Sequence, residues 1–476
     1  MPHPHQYLWD RRNVLKSGLA GAALLGLAPR LAAADGRAVS PAEPMQEELV
    51  IDNARILTQD ARLGDIHGAV HIRGGVIVTV AAQVQAVGVR RLDARGGILI
   101  PGLVDTHWHL WNSLARSYAP TAAGQGFAAA MGRLSPHVTP ELAYLGVRLG
   151  LAEAVASGIT TVHNWAHNLR SPGQTDAEYR ALRESGLRGR FSYGYPQDLP
   201  RDQVMNFTEA LRLRASMAEH ADCRFQAGIA VRGPERTAED VWRAEWAFAR
   251  EHGLPLTTHI GVTRTLQHEV RAIERLAKAD LLGPDIQLVH ATHASEADCA
   301  AIAAAGSPVS LSPFTEMRIG YGLPPVMRLK QAGVQLSLSI DNLVLGGNAD
   351  PFAVMRTTLN LATGMAEDEQ ALTARDVLHW ATLGGARDLG LDEQIGSITP
   401  GKCADLVLID IHRLSTMPAP DPAAMVVQSA QPGDIRLVLA DGRIRLEDGM
   451  IHGLNVPLLA ESAERGWRDW LARAGT

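Results

Sequence analysis

Two rhythms of apolar and polar positions divide this chain. Between residues 48 and 97, short β-prone runs at 49–54, 69–72 and 76–80 are separated by turn signals such as Gly74-Gly75. From residue 98 onward, short apolar runs alternate with longer amphipathic stretches. The runs fall at 98–105, 159–164, 190–195, 224–232, 255–260, 286–290, 308–312 and 334–341. Helical spacing of apolar positions fills most of the gaps, for example at 140–157, 202–220 and 237–252. Eight β-runs alternating with helices predict an α/β fold, a (β/α)8 TIM-like barrel. A helical pair at 373–390 follows. Strands then return at 405–409, 436–440 and 443–446, the last two joined by the hairpin signal Asp441-Gly442.

Neither terminal β-region is large enough to stand alone. The two are therefore expected to pair into one small β-sandwich built from N- and C-terminal segments. The predicted organisation is an N-terminal sandwich segment at 46–97, the barrel at 98–392, a C-terminal sandwich segment at 393–456 and a C-terminal helix at 457–476. Residues 1–34 stand apart. Arg11-Arg12 precedes an uncharged Ala/Gly/Leu-rich run at 17–29, and Ala32-Ala33-Ala34 follows. A basic region, a short apolar region and a small-residue cleavage site make a secretory signal. The paired arginines resemble a twin-arginine signal. The run is too short for a membrane span. Cleavage after Ala34, a periplasmic or otherwise exported location and no membrane attachment thereafter are expected.

Composition narrows the chemistry. Of the 476 residues, 46% are apolar and 20% charged, a globular balance that excludes global disorder. A formal net charge of -6 gives no nucleic-acid surface. Cys223, Cys299 and Cys403 are far apart in sequence, which excludes a disulfide framework or zinc ribbon. The 18 histidines point instead to a site of another kind.

The first barrel run ends in Asp105-Thr106-His107-Trp108-His109. Alternate residues of a strand share a face, so His107 and His109 project together. Trp108 points the other way, toward packing. His259 closes the fifth run, His290 the sixth and Asp341 the eighth. These groups are expected on one rim, at the C-terminal face where sites of this fold lie. Two imidazoles on one face suit zinc or a similar metal. A charged Asp ending an apolar strand is costly without a partner, and a bound cation supplies one.

These motifs resemble the amidohydrolase superfamily, in its cytosine deaminase-like, adenosylhomocysteine deaminase-like and triazine hydrolase-like branch. The resemblance spans roughly residues 48–455. It rests on the 101–109 stretch with Arg116 beyond it, Gly158-Ile159-Thr160-Thr161-Val162 and Ser339-Ile340-Asp341-Asn342. It also rests on the Gly384-Gly385-Ala386 and Gly401-Lys402 segments toward the C-terminus. It implies His107, His109, His259 and Asp341 as metal ligands, with Asp341 also accepting a proton from the attacking water. It implies His290 as the residue that polarises the substrate or orients that water. The fourth run offers no lysine or glutamate to bridge a second metal, so one divalent ion is expected, zinc first and iron or manganese next.

One departure is chemical. Aminohydrolases of this branch carry a proton-shuttling glutamate three residues after the fifth-strand histidine. Here that position is Val262. Glu316, after the seventh run, is a candidate stand-in. Trp111 in the first loop, with His163 and Trp165 at the end of the second run, are further candidates for substrate contact; Tyr195, Arg232 and Tyr321 are weaker ones. His167 reads as a hydrogen-bonded loop histidine.

The expected function is hydrolysis of a non-peptide C–N bond in a small cyclic amide, amidine or heteroaromatic substrate. The alternatives are a deaminase with a replacement proton donor, a lyase, cyclase or isomerase using the same metal site, and a non-catalytic binding protein. The expected partners are a small-molecule substrate and further copies of the chain in a homo-oligomer.

Overall fold

The computed structural model describes residues 48–122, 124–220 and 224–476. The segment read as a signal lies outside the described residues. Residues 45–476 form one compact unit. Its centre is an eight-stranded parallel sheet rolled into a barrel. The strands are Leu103–Trp108, Ile159–Ala166, Arg188–Tyr193, Phe225–Val231, Leu256–Ile260, Ile286–His290, Val309–Leu311 and Leu336–Leu338. The first three are buried at every position, as expected where helices cover the outer face and side chains fill the inner one. The helices start at well-made caps. Thr139 accepts from Leu142 N ahead of Pro140–Ala156, and Ser295 and Asp298 form a reciprocal capping box on Glu296–Ala305.

The small β unit is a continuous nine-stranded sheet. Five strands come from residues 49–101 and four from 406–451. They join where Leu406–Ile409 runs antiparallel to Ile98–Pro101. Ile51, Ile56, Val70, Leu99, Leu406 and Leu437 share its core, so both ends of the chain contribute.

One boundary differs from the sequence pattern. The run 98–105 is two strands, Ile98–Pro101 in the small sheet and Leu103–Trp108 in the barrel. An apolar run buried throughout carries no period to mark the switch. The switch falls at Gly102, where a Cβ would lie 2.1 Å from Thr160 Oγ1. Only glycine lets the chain pass there.

The C-terminal helix Val456–Ala474 lies against the barrel top. Trp470 is buried beside Trp111, Met131, Leu134 and Leu142, and its indole Nε1 donates to Leu134 O (2.8 Å). Among the described residues, no helix is long and apolar enough to cross a membrane. Trp470→Ala leaves a cavity and an unpaired carbonyl. It should cost about 3–5 kcal/mol in urea unfolding, with secondary structure otherwise retained.

Candidate active site

The barrel closes at its C-terminal rim through a single parallel bridge between Trp108 and Asp341. Asp341 N donates to His107 O (2.9 Å) and His109 N donates to Asp341 O (2.7 Å). These two bonds carry His107 and His109 to the same place as Asp341. Beneath them the buried Asp105 carboxylate accepts from Ile340 N (2.7 Å) and His107 N (3.2 Å), tying the first and last strands together again.

The polar atoms of these residues converge with a further imidazole, that of His259. His107 Nε2 lies 3.3 Å from His259 Nε2 and 3.4 Å from Asp341 Oδ1, while His109 Nε2 lies 3.5 Å from that same oxygen. A tetrahedral ion with bonds of about 2.0–2.2 Å has ligand–ligand edges of about 3.3–3.6 Å. Lone pairs crowded this closely repel unless a cation lies between them. Burial pushes His107, His109 and His259 below the ordinary imidazole range, which leaves them in the neutral form a metal requires. Burial opposes ionisation of Asp341. The hydrogen bond to His107 and the surrounding imidazoles of His290 and His109 nevertheless hold its carboxyl below the usual range. The donor set therefore fits one small divalent ion.

A second layer of bonds orients these groups. The Thr315 hydroxyl donates to Asp341 Oδ2 (2.7 Å), leaving Oδ1 for the cluster. His109 Nδ1 donates to Trp165 O (3.2 Å), which turns Nε2 inward. His290 stacks on His259 with ring centroids 5.3 Å apart. Its Nδ1 donates to Glu316 Oε1 (3.0 Å), and Ser312 N donates to the same oxygen (2.9 Å). His290 and Asp341 have φ of +76° and +67°, left-handed conformations that cost a non-glycine residue of order 1–3 kcal/mol each and cluster at functional sites.

The cluster forms the floor of a cavity of about 770 Å³. One wall is apolar, from Phe127 to Gly132, with Ile319 and Leu345. The other carries Trp165, His167, Tyr195, Gln197, Arg236 and Tyr321. Trp165 borders the cavity, but its side chain is fully buried, 4.3 Å between centroids from His259, with its indole on the Thr257 hydroxyl.

Three other expected contacts lie behind the wall. Trp111 is buried and donates to His167 Nδ1 (3.3 Å). His163 is fully buried a layer below, bonded to Thr106 O (2.8 Å) and the Ser192 hydroxyl (2.7 Å). The second strand continues to Ala166, so the residue two positions beyond Trp165, His167, reaches the cavity instead. Glu316 is fully buried against His290 and holds that ring, rather than facing the cavity. Arg232 donates to the carbonyls of Leu199 and Pro200 and does not reach the cavity. His167, Gln197, Arg236 and the 127–132 helix face carried no motif in the sequence. Arg236 lies just past the fourth strand, a position the barrel's geometry could have flagged.

The profile of the Amidohydrolase family matches residues 98–445, and the chain belongs to that family. A 5'-deoxyadenosine deaminase from Methanothermobacter thermautotrophicus is 31% identical over 388 residues, 78% of this chain and 87% of that protein. A 5-methylthioadenosine/S-adenosylhomocysteine deaminase from Symbiobacterium thermophilum is 29% identical over 423 residues, 84% of this chain and 94% of the other. The fold matches a zinc-bound adenosine deaminase from Xanthomonas campestris (TM-score 0.79, 23% identity, 90% of this chain and 99% of that one). It also matches the zinc-bound atrazine chlorohydrolase of Arthrobacter aurescens (TM-score 0.77, 19% identity, 88% and 100%). The chain is thus a metal-dependent hydrolase acting on carbon–nitrogen bonds.

Two variants test the centre. His259→Ala should abolish the single equivalent of zinc taken up on reconstitution and measured by elemental analysis. Thr315→Val should keep the fold but lower zinc affinity by roughly 10- to 100-fold in chelator competition, because it frees Asp341 Oδ2.

Proposed function

We propose that this chain hydrolyses a C–N bond, outside peptides, in a small cyclic amide, amidine or heteroaromatic compound. Zinc is the proposed ion, held by His107, His109, His259 and Asp341. The observation that carries this reading is that His107 shares one donor cluster with His109 and His259 and a second with His290 and Asp341, beside one cavity. A zinc ion held there supplies the Lewis acidity that makes water a nucleophile near neutral pH.

The chain's own residues supply the rest. Asp341 is the proton acceptor for the attacking water, fixed for that task by Thr315. His290 turns Nδ1 to Glu316 and so keeps Nε2 for a substrate heteroatom as charge develops on it. The apolar wall from Phe127 to Gly132 excludes water from one side of the substrate.

The leaving group lacks the usual acid. Val262 is buried and cannot transfer a proton. Glu235, a carboxylate beside that loop, spends Oε1 on the Gly261 amide (2.6 Å). A weakly basic leaving group, protonated through His290, suits this arrangement. The second reading is ammonia release from an amino-heterocycle. It is favoured by the deaminase relatives and gives His290 the same task.

A panel of ring amides, alkylamino-heterocycles and amino-heterocycles separates these readings by free ammonia and by product mass. Products without the mass of added water would move the site to lyase or isomerase chemistry and overturn both. His290→Asn should retain zinc and lower kcat/KM by about 10²–10⁴ on whichever substrate is found.

Export by the twin-arginine route is also proposed, on the Arg11-Arg12 pair and the apolar run after it. Replacing both arginines with lysine should leave uncleaved precursor in the cytoplasm on cell fractionation.

A further inference from the structure

The charges around the catalytic cavity are few and unbalanced. Among its described lining residues, Asp341 is the one carboxylate and Arg236 the one arginine or lysine. Asp341 is committed to the ligand cluster. Arg236 is not neutralised: no described carboxylate lies within 4.0 Å of its guanidinium. The adjacent Glu235 acts on Arg236 only through space, with one oxygen on the Gly261 amide (2.6 Å).

Arg236 shares this wall with the hydroxyls of Tyr321 and Tyr195, which with Glu235 are its nearest electrostatic partners. Tyr321 in turn packs on His290, with ring centroids 5.6 Å apart, and its carbonyl accepts from His293 Nε2 (2.7 Å). The order along this wall is therefore the ligand cluster, His290, Tyr321, then Arg236. Tyr195 stands on the same wall, fixed from behind by Arg232, whose guanidinium lies 5.3 Å from its ring centre. A guanidinium has more N–H donors than one tyrosine hydroxyl can use, in a planar fork that matches a carboxylate. Arg236 is an exposed residue, so those donors face the cavity mouth rather than protein. With a divalent ion on the four ligands, the cavity would favour an anionic group on its substrate.

We propose that Arg236 and Tyr321 form an anion subsite, and that the substrate is a flat N-heterocycle carrying a carboxylate or a like anionic group. This inference rests on the reading of the cavity as the catalytic one. The reacting carbon would lie over the ligand cluster, its heteroatom against His290, and the anionic group beyond Tyr321 on Arg236. A carboxylate there gains a charge-assisted, two-point contact that a neutral group cannot make.

The test is calorimetric binding of uracil-6-carboxylate and its neutral 6-carboxamide to the zinc-loaded chain. The wild type should prefer the carboxylate by on the order of tenfold or more, less at high salt. Arg236→Met and Arg236→Gln should each erase that preference while leaving zinc content unchanged. Arg236→Lys should restore some of it, since lysine keeps the charge but loses the fork. A preference that survives both neutral variants would place the anion on the metal, and the subsite would be wrong. No preference in the wild type, or no binding of either compound, would also overturn it. C–N hydrolysis is scored separately, by product mass on the panel above. Hydrolysis of neutral substrates that is indifferent to Arg236 would remove the subsite and keep the hydrolase. An Arg236-dependent preference without turnover of any panel member would do the reverse.

Discussion

The site depends on how the barrel closes. A parallel sheet gains its last rung only if strand eight returns to strand one, and here the last regular strand ends at Leu338. Closure is completed beyond it, by the bridge of Trp108 with Asp341 and by Asp105 bonding the Ile340 amide. Both features are locally unfavourable. Asp341 adopts a left-handed backbone, and Asp105 is a buried carboxylate whose ionisation is opposed first by desolvation. The surrounding structure stabilises them because the same residues that close the barrel bring three ligands within reach of one another. Stability and chemistry are coupled at this seam.

Below the seam the barrel interior is polar, unlike the branched apolar layers common in this fold. Thr106, Ser310, Ser337 and Ser339 form a ladder of hydroxyl contacts at 2.8–2.9 Å, and Gln287 Nε2 donates to Thr106 O and to Asp388 Oδ1 (2.9 Å each). His163 joins the same layer through its bond to Thr106 O. Buried polar networks of this kind fix one arrangement, since any slip leaves a donor or acceptor unpaired. The ligand histidines stand on a floor that cannot easily repack, which suits a centre whose donor separations agree to within a few tenths of an ångström.

Much of this was legible in the sequence, and the reasons are local. Period two alone pairs His107 with His109, and a titratable residue closing an apolar run marks His259, His290 and Asp341. The second run was expected to end at His163 and Trp165, but its pattern could not say how far the strand continued. Two further residues of strand move the rim up by one layer, so Trp165 and His167 reach the cavity and His163 becomes interior. Glu316 shows a second limit. A carboxylate in a loop between apolar runs looks like a free acid until the fold brings Nδ1 of His290 to it. The split of 98–105 between two sheets was hidden for the opposite reason, since burial on both faces removes the alternation that would have marked the break. The cavity's apolar wall, 127–132, is a short helix whose role is set by what it covers, and nothing in its own residues shows that.

The replacement at position 262 has a structural counterpart that narrows the chemistry. After His259 the chain turns at Gly261, with φ +62°, and the Glu235 carboxylate receives the Gly261 amide. That bond steers the loop so that Val262 is buried instead of facing the substrate. A glutamate placed at 262 without changing Glu235 would bring a second carboxylate toward the first, in a buried setting where like charges are costly. Glu235 keeps its Oε2 without a hydrogen-bond partner, while Glu316 bonds His290 Nδ1.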